Sequence, residues 1–586
     1  MDNFQNLIDY STVDDLKFRI KSLPFSCAIP SRKAEVASVL FNALMNPDNL
    51  QSIWNHLSEV QKLALQEAVH NQAGYMDGFV FWSKYQKEPP STEDWSLYRS
   101  RDKDNGDKAL SPFFYPDRRY GSSRRIPNDL LAFLKPHVPL PPHFSVPTAI
   151  VDGDEIETSE TPQYTEAELN VLLNTIKVKK LKVSPKTGQP SKALLNQLCN
   201  KLNEPYQKAT SLDDESAKSI KAFGWIQILR AALWFKETNG ELQINLKKAA
   251  LQQRHCDVIK QLFLDWKDRS KFDEFSRINQ IKGQKGKGQK YFTNVLSRRD
   301  ACIETLRSCP PEEWVSFDDY LRLMAVEGQF FNITFEPYSL YIGDSTYGRI
   351  HDGTFLTNAY SRCLIMEYFA TLGIVDIAYV TPESAQDNYY DRWGQYDLDY
   401  LSIYDGLKYI RLTKLGAYVL GVVDTYIDVS ESTKTSIALL PKNRVQFMQP
   451  PTTSERVFLT NYADEVTDQV WQLCTSRILS HLENGGDLEE IQSFLSERDE
   501  QPYFPTQIEH LFKTLESNKN AVRLEGRFLL LKCDTESIAK NIASAPKLQK
   551  LCQRVGKDQL IIPEGKESLF RQLVHELIVY AMPIQS

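Results

Sequence analysis

LQINLKKAAL (242–251) and IRLTKLGAYVL (410–420) are written to one plan. Each begins as a strand of alternating apolar residues. Each then passes a residue suited to cap a helix, Asn245 or Thr413, and continues into a helix of small residues. A longer helical stretch lies just upstream of both. Helices followed by a short β-wing and a closing helix are the parts of a winged helix. The echo therefore predicts a mainly α fold with small β-wings (α+β), a multi-domain array of winged-helix-like units. The plainer alternative is a generic α+β order, since repeats this short arise by chance.

Outward from the first segment, a winged-helix-like unit is expected over 164–276. TEAELNVLLNTIKV carries Thr165 and Glu168 at capping-box spacing. A basic hairpin, LKVSPKTGQP, leads to the helix SKALLNQLCNKL, a long helix near 216–236 and the strand ELQINL. Residues 277–299 form a basic Gly/Lys segment that turns helical. A second such unit, 300–438, is expected from helices at 298–308, 316–327 and 357–372, the strands GIVDIAYV and LKYIRLT, and an acidic insertion at 382–405. The last module, 439–586, is read as α+β. Its strands are RVQFMQ, ERVFLT, AVRLEGRFLLLKC and DQLIIP, and its helices 464–483, 487–497, 505–516, 534–542 and 565–581.

Toward the N-terminus, residues 1–85 read as a helical unit in which Thr12 caps a first helix and Ser31-Arg32-Lys33 starts a second. Two short helices joined by a turn, the second starting with basic residues, resemble the DNA-binding SAP motif. Residues 86–163 are rich in Pro, Ser, Asp and Arg and read as an extended connector, ending in an acidic linker (150–163) that marks a domain boundary.

A chain of 586 residues exceeds a single core, and roughly three to five domains are expected. Its 27 Tyr, 29 Phe and 9 Trp argue against disorder throughout. A net charge of −7 excludes a uniformly basic binder, so any contact with nucleic acid comes from local patches. Nine scattered cysteines without a CxxC pair fit reduced thiols better than a disulfide framework or zinc ribbon. No apolar run of ~18 residues occurs, so neither a membrane span nor a membrane partner is expected, and the location expected is cytoplasmic.

Several segments resemble bacterial and archaeal helicase-associated proteins with an XPB-like N-terminal domain. They are DDLKFRIKSLPFSCAIPSRKAEVASVLFNAL (14–44), HLSEVQKLALQEAV (56–69), KKLKVSPKTGQP (179–190), SRILSHLENGGDLEEIQSFLSERDEQPYFPTQIEHLF (476–512) and FLLLKCDTESIAKNIASAPKL (528–548). The likeness touches most of the chain, and the module from 476 carries the more specific match. Asn245 and Lys248 depart from it, standing where the wing-to-helix turn usually has Thr and Gly. The resemblance implies DNA or RNA engagement beside a helicase, or a scaffold that keeps the fold; it does not imply a motor.

Motifs that would carry catalysis fail on spacing or context. GQKGKGQK (283–290) has Gln289 where a phosphate-binding loop needs Lys, and no apolar strand precedes it. GDSTYG (343–348) has the wrong spacing for a nucleophile elbow, with Tyr347 in place of the second Gly. The histidines form no HExxH. Asp558, Glu564 and Lys566 resemble the metal-binding core of restriction-like nucleases, but the Asp is too close and Pro563 interrupts the strand. No enzyme, cofactor or metal is expected.

Two runs concentrate positive charge. Between Glu168 and Glu204 there is no acid, but seven lysines: Lys177, Lys179, Lys180, Lys182, Lys186, Lys192 and Lys201. Between Glu274 and Asp300 only Arg277, Lys282, Lys285, Lys287, Lys290, Arg298 and Arg299 carry charge. With Arg32 and Lys33, these residues (Lys201 and Arg277 apart) are the candidate phosphate contacts, since affinity grows with the number of neutralised phosphates. Lysine-rich contact implies little base readout. Arg118, Arg119, Arg124 and Arg125 in the connector, with Tyr115 and Tyr120, are a weaker candidate. The bland alternative is a solvated face, or a face meeting an acidic partner. The function expected is a non-catalytic DNA-binding accessory subunit beside a helicase or nuclease partner. The alternative is a protein-interaction scaffold of a phage-defence or DNA-processing complex, and a metal-dependent nuclease is a distant third.

Overall fold

Thr12 opens the helix Val13–Lys21, its hydroxyl accepting from the Asp15 N–H at 3.1 Å. The computed structural model describes residues 3–4, 11–90, 108–116, 124–153, 155–178, 181–184, 189–206, 219–238, 240–245, 254–285, 291–385, 398, 400–426, 435–451, 453–460, 462–483, 487–499, 501, 503–518 and 527–577. Asn46 and Ser58 cap Pro47–His56 and Glu59–His70, the second with a complete capping box to Gln61. With Lys33–Leu44 and Gly78–Tyr85, these helices bury Leu16, Ile20, Val36, Leu40, Leu65 and Phe81 in one core.

The expected surface connector belongs to that core. Leu110, Phe113, Phe114, Tyr115, Ile126, Leu130 and Leu134 are all buried in it. Aromatic side chains carry a large apolar payload, and here it outweighs the polar composition around them. Arg19 pins the two parts together. It is 1% exposed, pairs with Asp15, donates to the carbonyl oxygens of Ser111 and Phe114, and lies 4.4 Å above the Tyr115 ring. The N-terminal unit therefore runs beyond residue 85, as far as Val138. Past it the chain is extended. Phe144 and Val146 pack on a second core, the Ala149 N–H donates to the Trp314 carbonyl (2.8 Å), and Glu157–Ser159 pairs with Val375–Tyr379. The acidic stretch expected as an interdomain linker supplies an edge strand.

That second core runs from Leu169 to Leu420, so the expected segments 164–276, 277–299 and 300–438 share one interior. Two successions of elements within it have the same order, apart from an extra strand Tyr341–Ile342 between the last two helices of the second. The first is Pro162–Val178, strand Leu181–Lys182, helices Lys192–Cys199 and Ile220–Ala231, and strands Phe235–Thr238 and Glu241–Ile244. The second is Val295–Arg307, strand Trp314–Ser316, helices Phe317–Val326 and Gly353–Leu364, and strands Val375–Tyr379 and Leu407–Leu412. In each antiparallel sheet the first strand lies beside the last. Thr413 caps Lys414–Val419, accepting from the Gly416 N–H at 2.8 Å, whereas the residues after Asn245 lie outside the described set.

Ile220–Ala231 is predominantly apolar and is buried on every side from Ile220 to Leu229. It is shorter than the helix expected at 216–236, because Leu233 turns left-handed (φ 60°) and the chain returns as a strand. It packs on the Ile365–Phe369 turn that prolongs Gly353–Leu364. The approach is so close that a Cβ on Gly224 would lie 2.0 Å from the Glu367 carbonyl oxygen. Charges buried here are paired, as burial requires: Lys221 with Glu168 (2.8 Å), and Arg277 with Glu367 (2.8 Å).

The chain divides into two units, 1–435 with 450–459, and 436–449 with 460–586. The C-terminal module thus begins at Ser436 and omits residues 450–459. ERVFLT falls in the helix Thr453–Leu459 rather than a strand. The start of the helix expected at 464–483 is instead the hairpin Ala463–Thr467 and Val470–Leu473, and only Thr475–Glu483 is helical. Val466, Thr467 and Val470 are β-branched and favour the strand. Leu488–Ser496 and Thr506–Asn518 follow. A second sheet of Phe528–Lys532, Gln559–Pro563 and Gln553–Arg554 then packs with Glu536–Ser544 and Glu567–Leu577. The fold is mixed α+β with small sheets. No described helix is long and apolar enough to cross a membrane.

Candidate nucleic-acid interface

The second basic run divides by burial. Arg298 and Arg299 are fully buried, which withdraws them from the set of phosphate contacts. Arg298 forms a bidentate pair with Asp273 (3.0 and 2.7 Å) and lies 4.9 Å over the Tyr360 ring. Arg299 pairs with Glu274 (2.9 Å from Nε) and donates to the carbonyl oxygens of Lys267 (3.1 Å), Ser270 (2.9 Å) and Phe272 (2.8 Å). It closes the C-terminal end of His255–Arg269, where helix carbonyls lack partners. Burial pushes the Glu274 carboxyl up, and Arg299 opposes that shift.

Lys282 and Lys285 are exposed. Lys282 sits in the short strand Ile281–Lys282, which pairs with Tyr341–Ile342. Gly283 next to it has φ +84°, and a Cβ there would lie 2.6 Å from the Ser339 carbonyl oxygen, so only glycine fits the turn. The two segments are further joined by the bond from the Phe335 N–H to the Tyr291 carbonyl (3.1 Å). Arg349, also exposed, donates to the Tyr338 carbonyl at 3.1 Å.

The joined segments carry these three cations and four large exposed rings: Phe335 is 73% exposed, Tyr347 70%, Tyr338 52% and Tyr291 51%. None of Lys282, Lys285 and Arg349 is in an ion pair among the described residues. Two nearby acids are engaged by backbone. Asp344 accepts from the N–H groups of Thr346 (2.7 Å) and Tyr347 (2.9 Å), which hold its carboxyl below the usual range, and Asp352 caps Gly353–Leu364. Glu336 is half-buried beside them.

The remaining candidates are dispersed. Arg32 is exposed at the start of Lys33–Leu44, 3.8 Å from Glu35, and Lys33 is half-buried. Lys182 and Lys192 are exposed on the Leu181–Lys182 strand and at the start of Lys192–Cys199. Lys177 lies in Pro162–Val178 with its side chain outside the described set. Lys179, Lys180, Lys186, Lys287, Lys290, Arg118, Arg119 and Tyr120 lie outside the described residues altogether. Tyr115 and Arg125 are buried; Arg125 lies 5.1 Å from the Tyr75 ring centre and donates to Asn128. Asp558 stands in a bend before Gln559–Pro563, and Glu564 and Lys566 form a 3-10 turn after it, so the three do not share adjacent strands.

Charge counting missed Phe335, Tyr338, Tyr347 and Arg349, because FEPYSLYIGDSTYGR (335–349) holds one basic residue. Its signal was the density of aromatics among turn residues. No protein-family profile matches the chain, and no curated protein matches it.

Proposed function

We propose that the chain is a non-catalytic nucleic-acid-binding accessory subunit that holds the phosphate backbone and works beside a helicase or nuclease. The observation that carries the reading is the cluster of Lys282, Lys285 and Arg349, exposed and without carboxylate partners among the described residues, on one paired frame. Cations so placed give up no internal ion pair on meeting phosphate, and each phosphate neutralised releases counterions.

The two matching successions of elements support winged-helix-like units, since helix–strand–helix–helix–strand–strand with the first strand beside the last is that topology. In helix-turn-helix proteins the recognition helix enters the major groove. Here the helix in that place, Ile220–Ala231, is buried against the extension of its counterpart. Groove readout by that helix is closed, which favours backbone contact elsewhere. The same burial favours the second reading, a protein-interaction scaffold whose winged-helix-like units are joined through their third helices. A gel-shift assay at ~50 mM salt separates the two: binding lost in Lys282→Ala/Lys285→Ala/Arg349→Ala supports the first reading, and no binding by the wild type refutes it.

A further inference from the structure

Resting on that reading, we infer that the platform takes single-stranded DNA, stacking unpaired bases on Phe335 and Tyr347 with Tyr338 and Tyr291 beside them. Single exposed apolar side chains are ordinary on a protein surface. Four large rings, each at least half exposed, on segments joined by backbone bonds and shared with three cations are not single. Each ring leaves a large apolar surface in water.

A strand of unpaired nucleotides satisfies both kinds of group at once. Its phosphates match Lys282, Lys285 and Arg349 in charge, and its bases offer flat apolar faces to the rings. Base–aromatic stacking needs no particular sequence, because every base has a π-face. A duplex hides those faces within its own stack and offers the platform only phosphate. The frame beneath is ordered: Lys282 pairs with Tyr341, the Ile342 N–H donates to the Gly348 carbonyl (2.9 Å), and the Ile350 N–H donates to the Leu340 carbonyl (3.0 Å). The rings are thus presented on fixed backbone, which lowers the ordering cost of binding.

The test uses the full chain, a fluorescein-labelled oligothymidylate, the corresponding duplex, and a single strand carrying 2-aminopurine. The wild type is expected to bind the single strand at least about a hundredfold more tightly than the duplex, tenfold for each of the two rings, and to quench 2-aminopurine as it stacks. Phe335→Ala/Tyr347→Ala should weaken single-strand binding by about tenfold per ring and abolish the quenching, while duplex binding stays within twofold. Phe335→Tyr/Tyr347→Phe, which keeps both rings, should restore the wild-type values, and unchanged thermal melts show that all variants fold. Equal affinity for both DNAs, with the alanine variant unaffected, overturns the inference and leaves the phosphate reading standing. Failure of the wild type to bind either DNA at low salt overturns both. In that case, loss of self-association in the alanine variant by sedimentation assigns the platform to protein.

Discussion

Arg299 separates a structural arginine from a phosphate contact, and replacing it by Gln tells them apart. The substitution removes the charge that faces Glu274 at zero exposure, together with the donors to the carbonyl oxygens of Lys267, Ser270 and Phe272. Glu274 keeps the Tyr360 hydroxyl (3.0 Å) but is left buried without its cation. Breaking one side of a buried ion pair costs about 3–5 kcal/mol, and the orphaned carbonyls act in the same direction. Urea unfolding followed by tryptophan fluorescence measures this directly, because Arg299 lies 4.8 Å over the Trp266 ring. The unfolding free energy should fall by about 3–5 kcal/mol, while the salt dependence of DNA binding under folding conditions stays unchanged. A loss below about 1 kcal/mol, the ordinary range for exposed pairs, together with weakened DNA binding would refute the reasoning.

Glu204 gives a pH signature. Its carboxylate accepts from the N–H groups of Ile220, Lys221 and Ala222, yet burial, the dominant cause, raises its pKa to about 7 from the usual 4.5. The fold therefore binds a proton that the unfolded chain releases between those values, and stability falls as pH rises from 4.5 through 7. Relative to Glu204→Gln, the wild type should lose on the order of 3 kcal/mol across that window in urea titrations at stepped pH, and a flat difference would contradict the assignment. Gly224→Ala should cost about 1–3 kcal/mol in the same assay, because the new methyl meets the Glu367 carbonyl and one of the packed helices must shift. Thr413→Val removes both the cap on the Gly416 N–H and the bond to the Gly373 carbonyl (2.7 Å), and a loss of about 1–2 kcal/mol is expected on unfolding.

Local rules were legible from the sequence where neighbours a few residues apart decide the outcome. The caps at Thr12 and Thr413 and the strand Glu241–Ile244 belong to this class. What misled was composition standing in for burial. Arg298 and Arg299 lie in an acid-free run, yet their carboxylates, Asp273 and Glu274, stand 25 residues earlier, just outside the counted window. The segment around Phe113–Tyr115 read as a connector because it is rich in Pro, Ser, Asp and Arg, while Arg19 waited far up the chain to receive it. The hairpin at Ala463–Leu473 shows the helix–strand ambiguity of short apolar runs, which only pairing with Arg444–Phe447 resolves. The candidate platform was half legible: the lysines declared it by charge, but Phe335, Tyr338 and Tyr347 stand in a later segment that is joined to them through the pairing of Ile281–Lys282 with Tyr341–Ile342.

The proposed function rests on cations without carboxylate partners among the described residues, and the salt dependence of binding measures how many of them meet phosphate. For single strands the slope of log affinity against log salt changes by about 0.7 per phosphate contact, so Lys282→Ala/Lys285→Ala/Arg349→Ala should flatten it by about 2 relative to the wild type. A slope unchanged by the triple substitution, or no wild-type binding at ~50 mM salt, would contradict the account.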